Sequence, residues 1–129
     1  MGRELKRILY VEDESDIRTV TAMALEAVGG FTVLCCTSGD EAVAAAPDAK
    51  ADLILLDVMM PGMDGLATLS ALRGLPQTAD TPVIFMTAKV QANEIQQYMR
   101  LGATDVIAKP FDPMKLSAHI GDIWQKLAS

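Results

Sequence analysis

The chain has 129 residues, of which half are apolar and 22% are charged, and its formal net charge is −6. This size and apolar content fit a single domain over residues 1–129 with one core. The acidic balance and the lack of a basic run argue against binding to nucleic acid or to an anionic membrane. With no targeting signal or membrane-spanning stretch either, we expect a cytoplasmic protein.

The first half of the chain alternates between short apolar runs and helical periodicity. It predicts, in order, a strand, a helix, a second strand and a second helix, at residues 5–11, 16–28, 31–36 and 38–47. The apolar face of the first helix is predicted to be Ile17, Val20, Ala24 and Val28. Ser38 and Glu41 have the spacing of a capping box, and Pro47 is predicted to end the second helix.

The second half repeats the alternation three times. The predicted strands are residues 52–57, 82–87 and 105–108. One helix carries Leu66, Leu69 and Leu72 and ends near Gly74, and a weaker one covers residues 90–101. Asp112 is suited to cap the last helix, whose apolar stripe is Leu116, Ile120, Ile123 and Leu127.

Five strands that alternate with five helices predict an α/β fold. Strands this short and this apolar are typical of a parallel sheet that is covered by helices on both faces. In a chain of this size they fit a flavodoxin-like three-layer sandwich with strand order 2-1-3-4-5.

Polar residues follow the predicted strands where their carboxyl ends meet. Glu12 and Asp13 follow the first strand, Asp57 ends the third, Thr87 ends the fourth and Lys109 follows the fifth. Ligands bind at this edge in open parallel sheets. The order 2-1-3-4-5 therefore predicts Asp57 at the centre of a site, between the two other acidic residues and the pair formed by Thr87 and Lys109.

Three carboxylates at one sheet edge need a compensating charge. Two like charges about 4 Å apart repel by about 4 kcal/mol at an effective dielectric constant of about 20. A hard divalent cation removes this conflict, and Mg²⁺ is suited to carboxylate oxygens together with water and phosphate. These residue types predict a metal-assisted phosphoryl-transfer site with Asp57 as the nucleophile and Lys109 as a fixed positive charge.

Four segments carry a resemblance to a known family: ILYVEDE at 8–14, LILLDVMMPGMDG at 53–65, VIFMTA at 83–88 and GATDVIAKPF at 102–111. In this order and spacing they make the chain similar to the receiver domains of bacterial two-component response regulators, over nearly its whole length. The resemblance is to the stand-alone, chemotaxis-regulator-like kind, since the final helix runs to the end of the chain.

The resemblance implies a role for each site residue. Asp57 would accept a phosphoryl group from a partner histidine kinase or histidine phosphotransfer protein. Glu12, Asp13, Asp57 and the backbone carbonyl of Met59 would hold Mg²⁺, while Thr87 and Lys109 would contact the phosphoryl oxygens. Such a protein is no enzyme beyond its own phosphorylation and dephosphorylation. It would signal as a monomer or weak dimer, by binding a downstream protein or by phosphorelay.

The chain departs from the family at one coupling position. Val106 stands where many receivers carry Tyr or Phe, so the usual coupling of the threonine to an aromatic ring cannot operate in that form. Met59 and Lys89 occupy the positions that tune dephosphorylation, and because Met59 cannot orient a water molecule we expect a long-lived phosphoryl group. The resemblance also implies a cis peptide bond between Lys109 and Pro110 and a turn at Pro61 and Gly62.

Three other functions are weighed against the receiver. A haloacid-dehalogenase-like enzyme would need a second aspartate two residues after Asp57, where this chain has Met59. A flavodoxin would need a phosphate-binding loop after the first strand, where residues 11–14 are acidic. A pseudo-receiver that binds proteins without phosphorylation would normally have lost a site residue, and none is lost.

Overall fold

A computed structural model describes residues 4–128 of the chain. It confirms the alternation of five strands and five helices. The strands are β1 (Arg7–Val11), β2 (Thr32–Cys36), β3 (Leu53–Asp57), β4 (Val83–Thr87) and β5 (Asp105–Ala108). The helices are α1 (Ser15–Ala27), α2 (Gly39–Ala49), α3 (Gly65–Arg73), α4 (Ala92–Arg100) and α5 (Pro113–Ala128).

The strands form one parallel sheet in the predicted order β2-β1-β3-β4-β5. Every residue of β3 and β4 is buried, whereas the edge strand β2 exposes Thr32 and Leu34. The apolar runs therefore mark the strands that helices cover on both faces. The register pairs Val11 with Leu56 and Asp57 with Met86, so the carboxyl ends of the central strands lie side by side.

Alternate side chains of the strands supply two cores, one on each face of the sheet. On one face Leu9, Leu56 and Phe85 pack with buried side chains of α2, α3 and α4. On the other face Tyr10, Leu55 and Met86 pack with buried side chains of α1 and α5. This arrangement confirms the three-layer, flavodoxin-like fold. Among residues 4–128, no helix has both the length and the apolar character that crossing a bilayer requires.

The predicted apolar face of α1 was wrong in part. Val20 is 53% exposed and Val28 is 49% exposed, while Thr21 and Leu25 are buried beside Ala24. Thr21 can be buried on this face because its side chain hydrogen-bonds to Tyr10 of β1. The helix is therefore rotated so that one polar side chain faces the sheet and two valines face outward.

The second helix begins where predicted, at the N-cap Ser38, but its predicted end and its predicted capping box need correction. Pro47 does not end α2, which continues to Ala49, and Lys50 caps it in the left-handed conformation. Ser38 accepts the bond from the Glu41 amide, but the Glu41 carboxylate accepts from Thr37, so only half of the capping box forms.

The last helix matches its prediction more closely. Asp112 caps α5 by accepting a hydrogen bond from the Met114 amide at 2.9 Å. Leu116, Ile120 and Ile123 are buried as expected, whereas Leu127 is partly exposed near the end of the helix.

Candidate functional site

Asp57 is the last residue of β3, the strand at the centre of the sheet. Its side chain is almost wholly buried. The following loop returns so closely that the Gly65 amide donates to the Val58 carbonyl at 2.9 Å. A Cβ atom on Gly65 would lie 2.6 Å from the carbonyl oxygen of Asp57, so only glycine fits at this first residue of α3. The sequence pattern alone does not reveal this contact, because it depends on how closely the loop returns to β3.

Two further carboxylates lie beside Asp57. Glu12 is fully buried and Asp13 is half-buried, in the loop that leaves β1. One carboxylate oxygen from each of the three residues lies within 4.8 Å of the others. The structure therefore brings together the three acidic side chains that the sequence predicted at this edge.

Lys109 reaches across the sheet edge from the loop after β5. Its ammonium lies 2.9 Å from Oε1 of Glu12 and 3.2 Å from Oδ1 of Asp57. The sequence had predicted Lys109 on the far side of Asp57, beside Thr87. Its amide does donate to the Thr87 carbonyl at 2.9 Å, but the long side chain crosses to the β1 side and bridges the two buried carboxylates.

Burial and the neighbouring charges shift the pKa values of Asp57 and Lys109. Burial raises the pKa of Asp57 to about 7, the nearby charge of Glu12 adds to this effect, and Lys109 opposes it. Burial alone would lower the pKa of Lys109, but its hydrogen bond to Glu12 and its attraction to Asp57 outweigh burial and raise it. One ammonium therefore does not neutralise the carboxylates, and the site favours a further positive charge.

The loop that carries Glu12 and Asp13 is fixed from α1. Arg18 donates from Nη1 to the carbonyl oxygens of Glu12 at 2.8 Å and of Asp13 at 3.4 Å. The Glu14 amide donates to Oε2 of Glu12 at 3.4 Å. Sequence reasoning missed Arg18, for which the available signal was an arginine in the first turn of a helix that follows an acidic loop.

Thr87 ends β4 and is fully buried. Its hydroxyl oxygen accepts a hydrogen bond from the Lys89 amide at 3.0 Å, which leaves the hydroxyl hydrogen free to be donated elsewhere. Ala88 and Lys89, which follow, are exposed. Thr87 therefore presents a donor at the sheet edge, next to the strand that ends in Asp57.

The other residues singled out in the sequence surround this centre. The Met59 amide donates to Oδ1 of Asp57 at 3.3 Å, and the Met59 side chain is exposed. Gly62 has a positive φ of 72°, as a turn requires, and the peptide bond between Lys109 and Pro110 is cis, as expected. Val106 is half-buried and packs against the core that β3, β4 and α4 share.

An apolar groove of about 500 Å³ opens beside Lys109 and Ala88. It lies between α1 and the start of α5, and its apolar walls are Ile17, Val20, Pro110, Phe111 and Pro113. A group that approaches Asp57 from this side would meet an apolar surface before it reaches the charged centre.

The groups at this centre can support only a small set of reactions. It offers a carboxylate nucleophile, an ammonium in contact with it, a hydroxyl donor and oxygen ligands for a hard cation. These groups suit transfer of a phosphoryl group, where catalysis consists mostly of positioning and of charge stabilisation.

Comparison with known proteins identifies a family and relatives of this chain. Residues 8–121 match the family described as the response regulator receiver domain. The chain is 41% identical over 115 residues to the phosphate regulon transcriptional regulatory protein PhoB of Pseudomonas aeruginosa, a match that covers 89% of this chain and 50% of that protein. It is 36% identical over 121 residues to the alkaline phosphatase synthesis transcriptional regulatory protein PhoP of Bacillus subtilis, covering 94% and 49%. The chain thus spans about half the length of these curated relatives.

Some solved structures match this chain over nearly the whole length of both chains. The chemotaxis protein CheY4 of Vibrio cholerae superimposes with a TM-score of 0.86 at 31% identity, covering 93% of this chain and 99% of that one. A response regulator from Desulfuromonas acetoxidans gives a TM-score of 0.82 at 33% identity, covering 95% and 98%.

Proposed function

This chain belongs to the response regulator receiver domain family of two-component signalling, and on that premise we propose that Asp57 is its phosphoryl acceptor. The donor would be the phosphohistidine of a partner histidine kinase or histidine phosphotransfer protein. The observation that carries this proposal is the buried carboxylate of Asp57, with the Lys109 ammonium 3.2 Å from Oδ1 and the carboxylates of Glu12 and Asp13 beside it.

The transfer exchanges one bond for another at phosphorus. A carboxylate oxygen of Asp57 forms a bond to phosphorus as the bond from phosphorus to the histidine nitrogen breaks, and the imidazole leaves with that electron pair. Lys109 offsets the negative charge on the phosphoryl oxygens, and the Thr87 hydroxyl donates to one of them. The ionised form of Asp57 is the nucleophile, so its raised pKa slows the reaction unless a further positive charge enters the site.

Magnesium is the cation that we propose for this place. Glu12, Asp13 and Asp57 provide hard oxygen ligands close enough to share one ion, and the Met59 carbonyl would add a fourth. When bound, the ion would supply positive charge to the phosphoryl oxygens. The Lys109 ammonium contacts both Glu12 and Asp57, so ion binding and the ammonium contacts would compete for the same two carboxylates.

The output that we propose is protein binding or phosphorelay by a single domain of residues 1–129. A net charge of −6 opposes contact of this chain with a nucleic-acid backbone, although relatives about twice as long are named as transcriptional regulators. The match to CheY4 over 99% of that chain supports a receiver that acts alone. A partner that brings a phosphohistidine to Asp57 would contact the apolar groove beside Lys109.

The test is covalent loading of the acceptor. The protein is incubated with Mg²⁺ and a small-molecule acyl phosphate, and its intact mass is measured beside Asp57→Asn and, as a matched control, Asp64→Asn. Asp64 lies in the same loop but is exposed and caps α3. We expect one phosphoryl group on the wild type and on the control, and none on Asp57→Asn or in the presence of a chelator. No loading under any condition would instead support the pseudo-receiver alternative.

A further inference from the structure

Tyr98 is the residue by which α4 is anchored to the domain. Of residues 92–100, all of which the structure describes, only Tyr98 is buried. Its ring lies edge-on to Phe85 of β4, with the ring centroids 5.3 Å apart and an interplanar angle of 89°. Val106 of β5 packs against the same core. An aromatic ring is thus present in this part of the core, but it comes from α4 while β5 contributes a small aliphatic side chain.

The hydroxyl of Tyr98 makes a specific contact with the loop after β4. It donates to the carbonyl oxygen of Lys89 at 3.2 Å. The amide of the same residue, Lys89, donates to the hydroxyl oxygen of Thr87 at 3.0 Å. Two hydrogen bonds therefore join Thr87 to α4 through the backbone of one exposed residue.

Both bonds depend on how the backbone of Lys89 is oriented. Its N–H and C=O groups flank the same Cα atom, so a displacement of Lys89 as a whole moves both of them. A change at the Thr87 hydroxyl is then transmitted to the Tyr98 hydroxyl, or else one of the two bonds is lost.

We propose that Tyr98 is a positioning residue that holds Thr87 through Lys89 and that transmits phosphorylation of Asp57 to α4. The proposal rests on the proposed function, since it takes Asp57 as the acceptor and Thr87 as a donor to the phosphoryl group. The side chain of Val106 has no polar atom that could bond to the loop after β4, whereas Tyr98 has both a buried ring and a hydroxyl bonded to that loop.

Phosphorylation would act on this chain of bonds at its Thr87 end. A phosphoryl group adds strong acceptor oxygens and favours the orientation in which Thr87 donates to one of them. The hydroxyl oxygen then moves with respect to the Lys89 amide, the loop adjusts, and the Tyr98 hydroxyl follows the Lys89 carbonyl. The equilibrium shifts only by the difference in these contacts between the two states.

The experiment uses fluorine NMR of the full chain labelled with 3-fluorotyrosine. The chain has two tyrosines, so the spectrum has two signals, which Tyr10→Phe or Tyr98→Phe assigns. The hydroxyl of Tyr10 lies 3.5 Å from Oε1 of Glu12, so its signal reports on the acidic centre itself. Spectra are recorded with Mg²⁺, before and after addition of the acyl phosphate, for the wild type and for Thr87→Val, and loading is measured by intact mass.

The expected result is that loading shifts both signals in the wild type. In Thr87→Val, which keeps the shape of the side chain but removes the hydroxyl, loading should shift the Tyr10 signal and leave the Tyr98 signal in place. The proposal is overturned if the loaded wild type shows no shift at Tyr98, or if the shift persists in loaded Thr87→Val. A wild type that does not load at all contradicts the proposed function instead, so the two failures are distinguishable.

Discussion

Replacement of Asp57 by Asn should stabilise the protein, and by more at high pH than at low pH. The folded-state pKa of Asp57 is about 7, above the ordinary value of 3.8, because its carboxylate is buried and lies beside Glu12. An unfolded chain therefore releases this proton first, and the folded state loses stability as the pH rises from about 4 to about 7. Asn has the shape of the aspartate but no charge to bury.

The magnitude follows from the two pKa values. Each unit of difference corresponds to about 1.4 kcal/mol, so the raised pKa lowers the free energy of unfolding by about 2 kcal/mol at pH 5, where only the unfolded chain is ionised, and by about 4 kcal/mol at pH 8, where both states are. The free energy of unfolding of Asp57→Asn should therefore exceed that of the wild type by an amount that grows by about 2 kcal/mol between these pH values.

The assay is urea denaturation at pH 5 and at pH 8 with a chelator present. Asp48→Asn serves as the control, since Asp48 is exposed on α2 and its replacement should change stability little at either pH. A stability difference between Asp57→Asn and the wild type that is the same at both pH values would refute the argument. Added Mg²⁺ should reduce the advantage of the variant at pH 8, because the ion stabilises the ionised wild-type site.

Three further predictions concern the surroundings of the acceptor. Lys109→Met leaves two buried carboxylates without their ammonium. Urea denaturation in the presence of a chelator should show a free energy of unfolding lower by about 3 kcal/mol, and Mg²⁺ should largely restore it. An equal loss with and without the ion would contradict the role of Lys109 as counter-ion. Gly65→Ala places a Cβ atom 2.6 Å from the backbone oxygen of Asp57, so thermal unfolding should report a cost of about 1–3 kcal/mol together with slower phosphorylation. Gly121→Ala on α5, where a Cβ atom meets nothing within 4 Å, is its control and should show neither effect. Met59→Asn supplies a side chain that can orient water at an exposed position and should shorten the lifetime of phosphorylated Asp57; loss of the wild-type phosphoryl group within seconds would contradict the expected long lifetime.

The pattern of the sequence was sufficient for the fold and for the acidic residues, the threonine and the lysine that the structure brings together at the sheet edge. Buried parallel strands must be short and apolar, and their polar residues can lie only where the strands end. The order of the strands then places Glu12, Asp57 and Thr87 at one edge, whatever the details of the helices. Those positions depend on local composition and on topology, which are both readable from the chain.

The orientation of the helices was harder to predict from the sequence. Val20 and Thr21 are neighbours, and hydrophobicity alone selects the valine for the core. The threonine is buried instead, with its hydroxyl donating to the oxygen of Tyr10 on β1. Pro47 likewise lies inside α2, two residues before its end. The buried face of α1 thus depends on a partner in another element.

By itself, the sequence determined which residue types meet at the edge of the sheet, because strand ends and strand order follow from apolar periodicity. Only the tertiary structure decided how those residues pair. A long side chain such as that of Lys109 can reach several partners, and its contact with Glu12 depends on the three-dimensional packing of residues 97 positions apart. The same holds for Tyr98, whose hydroxyl meets the Lys89 carbonyl only because α4 packs its one buried ring against β4.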